Sequence, residues 1–140
     1  MGYQDEQVLR ALAGRAAITD LDARLNRAQE TGDVTAWLAG FLPEATLTEP
    51  GNPPRCGHRD LEAYLQAVTP GRIHLSADGT VDVSGVTARH ESSYLVLNPG
   101  SNGTGLTVEA YGRRRDELVY ERGDWYIAAR RIVPFGAETS

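Results

Sequence analysis

Apolar side chains recur at three- and four-residue steps through Ile18, Leu21, Leu25 and Ala28, while Asp20, Asp22, Arg24 and Arg27 occupy the other faces. That period predicts an amphipathic helix over 16–31 with one packed and one solvated face. Upstream, Val8, Leu9 and Leu12 form a short amphipathic stretch that Gly14 is placed to interrupt, so residues 1–15 read as a frayed or docked lead-in helix. Gly32 suits a C-cap, and Asp33 can accept backbone N–H groups at the start of a shorter helix carrying Trp37, Leu38 and Phe41, which Pro43 then ends. A short strand over 45–49 leads into the irregular loop Pro50, Gly51, Asn52, Pro53 and Pro54. A third helix over 58–68 presents Leu61, Tyr64, Leu65 and Val68 on one side.

The second half changes character. Glycine, proline and asparagine punctuate stretches rich in Val, Thr, Tyr, Ile and Leu, which predicts strands near 71–83, 86–97, 105–120 and 125–133. Asp78-Gly79 and Ser84-Gly85 supply turn or bulge chemistry, 98–103 a hairpin loop, and Arg122-Gly123-Asp124 the last turn. Helices first and long strands afterwards imply an α+β layer architecture, in which neighbouring strands pair antiparallel. The expected arrangement is a cone-shaped, curved antiparallel sheet wrapped around the N-terminal helices and enclosing one pocket.

A length of 140 residues fits one domain over 1–140, with the lead-in and a tail at 135–140 peripheral to it. No apolar run is long enough to span a bilayer, and the first residues lack the segments of a signal peptide, so a cytoplasmic protein with no membrane partner is expected. A net charge of −5 and a pI near 5.1 argue against nucleic acid as a partner. The basic run Arg113-Arg114-Arg115 falls on a strand, where its side chains alternate between faces. All 14 basic residues are arginine, which excludes Schiff-base catalysis, a lysine-linked pyridoxal cofactor and the lysine-bearing phosphate loop. The single cysteine, Cys56, excludes an internal disulfide and a multi-cysteine metal site. Cys56 and His58, two residues apart without a positioned third partner, define no nucleophilic site. Three histidines without compact spacing predict no metal, and no cofactor is expected.

Six ordered stretches carry a resemblance: 27–33 (RAQETGD), 41–45 (FLPEA), 57–61 (GHRDL), 71–75 (GRIHL), 83–88 (VSGVTA), and 112–118 (GRRRDEL) together with 123–131 (GDWYIAARR). In this order, from about 16 to 134, the chain resembles the nuclear transport factor 2-like superfamily and its SnoaL-like branch. The resemblance implies a cone-shaped domain with an enclosed cavity. Relatives include ketosteroid isomerases, scytalone dehydratase, polyketide cyclases, epoxide hydrolases, dioxygenase beta subunits and non-catalytic binders, among which fold does not choose. It also implies that His74 is a pocket histidine. Where dehydratase-like members carry an acid near the end of the first helix, Gln29 stands here; it can hold a substrate or water but cannot exchange a proton near neutral pH. Arg114 stands where a tyrosine is expected in the family pattern.

His74 is the leading acid or base, because imidazole titrates near neutrality; the bland reading is a polar strand-edge residue bonded to a backbone carbonyl. His90, Ser92 and Tyr94 share one strand face, as site residues or as a solvated polar ladder. Arg114 and Asp116 also share a face, where they pair with each other, with Arg131 or with His74. Arg114 suits an enolate or carboxylate, whereas Asp116 favours a structural ion pair holding two strands in register. Glu49 is a candidate base at the cavity mouth or merely a solvated carboxylate. Trp37 and Tyr94 are the aromatics expected to touch the cavity.

Two functions are carried forward. The first is cofactor-independent proton transfer on a hydrophobic, oxygenated small molecule, as in isomerisation, dehydration, cyclisation or epoxide opening. The second is a non-catalytic ligand-binding or assembly domain, including a role like that of dioxygenase beta subunits. A homodimer through the exposed sheet face fits either.

Overall fold

The computed structural model describes residues 2–68 and 70–136, so residues 137–140 of the expected tail and residue 1 of the lead-in lie outside the described residues. The helical period at the N-terminus runs unbroken. One 29-residue helix, α1 (Tyr3–Thr31), replaces the expected break at Gly14. A Cβ at Gly14 would stand 3.3 Å from Val83 Cγ2 and 3.4 Å from Trp125 Cζ2, so glycine here lets the helix approach two strands closely rather than ending it. Ile18, Leu21, Leu25 and Ala28 are buried, as their spacing predicts. Asp22, Asn26 and Gln29 are buried too, which corrects the placement of Asp22 on a solvated face.

Gly32, with φ +71°, closes α1 in the left-handed conformation, and the Asp33 carboxylate accepts the Ala36 N–H at 3.1 Å to open α2 (Val34–Leu38). Phe41 and Pro43 belong to the next strand, β1 (Phe41–Thr48), and not to this helix or its end. Proline is tolerated there because β1 pairs with its neighbour at Phe41 and resumes only at Thr46. Directly after the proline-rich loop lies β2 (Arg55–Cys56), too short to announce itself by alternation, paired antiparallel with β1. Helix α3 (Gly57–Ala67) follows and buries Leu61 and Leu65.

Strands β3 (Ile73–Ser84), β4 (Thr87–Asn98), β5 (Thr107–Glu121) and β6 (Asp124–Pro134) occupy the four expected stretches. The sheet order is β2-β1-β6-β5-β4-β3. Its neighbours are antiparallel except β1 and β6, which run parallel, so the sheet is mixed. Its end strands, β2 and β3, do not pair, and the expected cone-shaped antiparallel wrap is corrected to an open sheet that neither closes nor curls strongly. A two-residue edge strand offers too few backbone groups to close a ring.

Helices cover one face. There Ile18, Leu21 and Leu25 of α1 join Trp37, Phe41, Leu47, Leu61, Leu118 and Ile127 in one core. Local irregularities re-aim the strands. Asp78, at φ +52°, and Gly79 form a bulge opposite β4, and β6 carries another opposite Glu117 and Leu118.

Gly112 sits where β5 meets the end of β6. A Cβ there would overlap the Val133 carbonyl oxygen and lie 2.8 Å from Pro134 Cα, both backbone atoms that cannot swing aside. Gly112→Ala is expected to cost about 1–3 kcal/mol of stability, read as a lower urea midpoint at unchanged slope; an unchanged midpoint would mean the strands part freely here.

Candidate active site: a buried ion-pair layer beside a lined cavity

Alternation along β5 turns Arg113, Arg115 and Glu117 outward and buries Arg114, Asp116 and Leu118. Asp116 accepts two hydrogen bonds from Arg130, at 2.8 Å from Nε and 2.9 Å from Nη2. Its partner is therefore neither Arg131 nor His74. Near the turn, Leu118 faces Ile127; past the bulge, Glu117 faces Ala129 and Asp116 faces Arg130. Ala128 is the extra residue, and it turns Arg130 inward while Arg131 stays exposed. The Asp116–Arg130 pair thus ties the two strands in register.

Arg114 binds the helix instead. Its Nη2 donates to Asp22 Oδ1 at 3.0 Å, to Ser76 Oγ, and at longer range to Asn26 Oδ1, while Asn26 Nδ2 donates to Ser76 Oγ at 3.0 Å. α1, β3 and β5 are so joined by one network. Burial works against the Asp116 charge, but Arg130, and then Arg114, outweigh it and hold the carboxyl below its usual range. Burial likewise opposes the Arg130 charge, which Asp116 more than restores. Burial and neighbouring Arg130 pull Arg114 below the usual guanidinium value, yet a guanidinium keeps its proton in proteins.

Asp22, His90 and Asp116 bring ligand atoms within 4.8 Å of one another. Both carboxylates already neutralise an arginine, so a dication there would meet Arg114 and Arg130 at close quarters, and the donor set does not suit one.

Beside this layer lies a cavity of about 230 Å³. Of the residues singled out from the sequence, His74, Tyr94, Arg114, Gln29 and Glu49 all line it, and Tyr64 and Arg130 join them. Its buried lining residues, Gln29, His74, Tyr94, Arg114 and Arg130, all carry polar groups; among the half-buried ones Glu49 and Tyr64 are polar, and Val68, Val96, Ala110, Ile132 and Pro134 are apolar. Glu49 is held at 2.9 Å by Arg55, whose guanidinium lies over the Tyr64 ring.

The other candidates stand elsewhere. Trp37 is fully buried in the core, stacked 6.0 Å from Tyr64 and 4.5 Å from Phe41, and does not line the cavity. His90, Ser92 and Tyr94 are all buried on the inner face of β4. His90 opens onto a second depression, of about 500 Å³, between α1 and β3, where it meets Asp22, Asn26 and Glu30. The single enclosed pocket is therefore replaced by two depressions with His74 in the wall of both. Asp116 lies behind them, in the ion-pair layer.

Two cavity-wall nitrogens, His74 Nε2 and Arg114 Nε, are buried without a hydrogen-bond partner among the described residues. The His74 backbone N–H donates to Glu30 Oε1 at 2.9 Å, anchoring the start of β3 to the end of α1. Burial pulls the His74 imidazole below its ordinary value; Glu30 opposes this and Arg114 adds to it. His90 is lowered by burial against the pull of Asp22 and Asp116. Burial, aided by Glu49, pushes the Tyr64 phenol up to about 12 and raises that of Tyr94. At neutral pH the cavity thus holds a neutral imidazole, two protonated phenols and a guanidinium with an unused N–H.

Asp22, Asn26, Ser76 and Arg130 are not among the sequence candidates. A signal for the first two exists: Asp22, Asn26 and Gln29 recur at four- and three-residue steps, a polar stripe running beside the apolar one. Arg130 has none, because an uninterrupted count from the turn would set Ala129 opposite Asp116.

A helix layer on an open mixed sheet, with a polar cavity between them, is the class this geometry defines. Residues 10–131 match the SnoaL-like domain family, and the chain belongs to it, within the nuclear transport factor 2-like superfamily. An NTF2-like protein with a cystatin-like fold from Novosphingobium aromaticivorans superposes with a TM-score of 0.85 at 20% identity, over 96% of this chain and 92% of that one. A form of Rv3472, a function unknown protein from Mycobacterium tuberculosis, gives 0.79 at 27% identity over 96% and 76%. A Catenulispora acidiphila protein in complex with S-DNPA gives 0.77 at 23% over 91% and 98%. No curated protein matches the sequence. No helix among the described residues is long and apolar enough to cross a membrane.

Arg130→Ala strands the Asp116 carboxylate in the interior and is expected to cost about 3–5 kcal/mol, whereas Asp116→Leu with Arg130→Met should recover most of that loss. Chemical unfolding of the single and double variants measures both; equal losses would mean that the pair's shape, not its charge balance, matters.

Proposed function

We propose that the chain is a cofactor-independent enzyme that moves a proton on a hydrophobic, oxygenated small molecule, with the chemistry in the cavity of about 230 Å³. One observation carries this reading: a neutral base and a cationic hydrogen-bond donor, His74 Nε2 and Arg114 Nε, are buried on residues of the same wall with no hydrogen-bond partner among the described residues. Unpartnered buried polar groups cost stability, and function is a reason to keep them.

With its proton on Nδ1, the lowered imidazole offers Nε2 as a base. It takes a proton from the carbon next to a substrate carbonyl, and the C–H electron pair moves onto the carbonyl oxygen. The Arg114 N–H stabilises that oxyanion, a role strengthened by the apolar wall. The protonated His74 then returns the proton to another carbon, giving isomerisation, or to a departing hydroxyl, giving dehydration with loss of water. Tyr94, kept protonated by burial, donates a second hydrogen bond, and Gln29 positions the substrate or a water. Glu49, tied to Arg55, serves the wall and not the proton.

The test is a pH–rate profile on a substrate found among ring-bearing enones, β-hydroxy ketones and epoxides. Because burial holds His74 below 6.5, the base form persists at neutrality and the acid limb of kcat/KM falls only below that value. His74→Gln should lower kcat by about 10²–10⁴ and remove that limb. A variant that retains both rate and limb would leave His74 without a catalytic role.

Assembly through the outer sheet face is a second reading with its own support. Leu75, Leu95 and Tyr111 are cross-strand neighbours, and Phe135 continues the row, 5.3 Å from Tyr111. Leu75, Tyr111 and Phe135 are 45%, 51% and 68% exposed, a contiguous apolar row that a second copy of the chain would cover. Sedimentation at micromolar concentration should give a dimer and Tyr111→Arg a folded monomer; a monomeric parent protein would refute it.

A further inference from the structure

The first half of α1 carries a pattern that is complementary to itself. Tyr3, Glu6, Arg10, Ala13 and Ala17 follow one another at three- and four-residue steps, so they share one stripe of the helix. The later part of the stripe, Arg10, Ala13 and Ala17, forms one bank of a trough of about 580 Å³ that shares no lining residue with the cavity near His74. Val86 of the β3–β4 turn, with Tyr120 and Trp125 of the last hairpin, forms the other bank. Val86 is 60% and Tyr120 43% exposed, and the Tyr120 and Trp125 rings lie 5.3 Å apart. The trough is thus bounded by small alanines on one side and by apolar and aromatic side chains on the other.

The early part of the stripe carries what would fill it. Tyr3 is 74% exposed, engaged only through its hydroxyl, which accepts from Gln7 Nε2 at 2.9 Å. Glu6 and Arg10 are exposed, and neither side chain is in an ion pair among the described residues. Both Tyr3 and Glu6 precede residue 10, where the match to the family begins. In a two-fold contact, residue i of one copy meets j of the other and j meets i. Two α1 helices laid antiparallel along this stripe satisfy that condition twice. Glu6 meets Arg10 of the second copy while Arg10 meets its Glu6, and Tyr3 meets Ala13 while Ala13 meets its Tyr3. Acid falls on base, and the largest side chain on one of the smallest. A parallel pairing would instead set Glu6 on Glu6 and Arg10 on Arg10.

We propose that the trough is an interface between two copies of this chain, in which the α1 helices pair antiparallel and each Tyr3 ring enters the trough of the other copy, between Ala13 and Trp125. The stripe from Tyr3 to Ala13 is only about three helical turns long, so the contact is of the weak, small-area kind and forms well above micromolar concentration. It is separate from the outer sheet face and from the proton-transfer cavity.

Sedimentation of the full-length Tyr111→Arg variant up to several hundred micromolar, at low salt, isolates this contact from the outer sheet face. A monomer–dimer equilibrium is expected, weakening as salt is added. Glu6→Arg and Arg10→Glu, each introduced singly, turn both symmetry-related attractions into repulsions and should weaken the association about tenfold. An equimolar mixture of these two variants restores opposite charges at both places and should associate as the parent pair does. Tyr3→Ala should also weaken it, with the helix content by circular dichroism unchanged. The proposal is overturned by a monomer at every concentration, by single charge reversals that associate undiminished, or by a mixture that associates no better than either variant alone. Uptake of a hydrophobic dye by Trp125 and Tyr120 in a chain that stays monomeric would assign the trough to a small ligand instead, and would equally overturn it.

Discussion

The rest of the structure depends on two ion pairs, Asp22–Arg114 and Asp116–Arg130, buried between helix and sheet. Removing four charges from water is costly, and attraction repays it only when each group's hydrogen bonds are also met. Asp116 and Arg130 come close to that condition through their paired contacts. Arg114 meets it on one side alone, through Nη2, and its Nε has no hydrogen-bond partner among the described residues. The same network sets distances: α1 is tied to β3 and β5, and β5 to β6, by groups that tolerate little displacement. A rigid polar floor of this kind holds His74 and Arg114 in the wall of one cavity.

Much of the fold was legible in the sequence because turn chemistry and periodicity are local. Gly32 and Asp33 capped where expected, the four long strands fell in their predicted stretches, and one face of β5 took Arg114 and Asp116 inward. What failed was non-local or depended on a single inserted residue. Sheet closure depends on whether edge strands meet, and a two-residue β2 just after a proline-rich loop gives no warning that they do not. Gly14 looked like a break because propensity speaks against it; its reason is the close approach of Val83 and Trp125, which a single segment cannot reveal. Asp22 looked solvated because charge usually is, and its burial rests on an arginine far away in the chain.

The candidate site divides along the same line. His74, Tyr94, Arg114, Gln29 and Glu49 converge on one cavity although they come from α1, β3, β4, β5 and the segment after β1. Family likeness located His74, and strand alternation located Arg114. Neither indicated that a buried acid of the first helix, Asp22, lies two turns before Gln29 and accepts a hydrogen bond from Arg114. Asp22 lines the larger depression and not the cavity of about 230 Å³, whose wall holds His74 and Arg114 together with Glu49.

The bulge at Ala128 has an evolutionary consequence. The tip of the β5–β6 hairpin is exposed and touches nothing in the cavity, so, beyond the left-handed turn that Arg122 and Gly123 form at φ +53° and +84°, its side chains are free to drift. Its residue count is not. Losing or gaining one residue between Leu118 and Ala129 would exchange Arg130 for a neighbour on the inner face and leave Asp116 without its cation. Lineages of this chain should therefore vary in the spelling of that turn while conserving its length, a restraint imposed from the interior on a segment that lies at the surface.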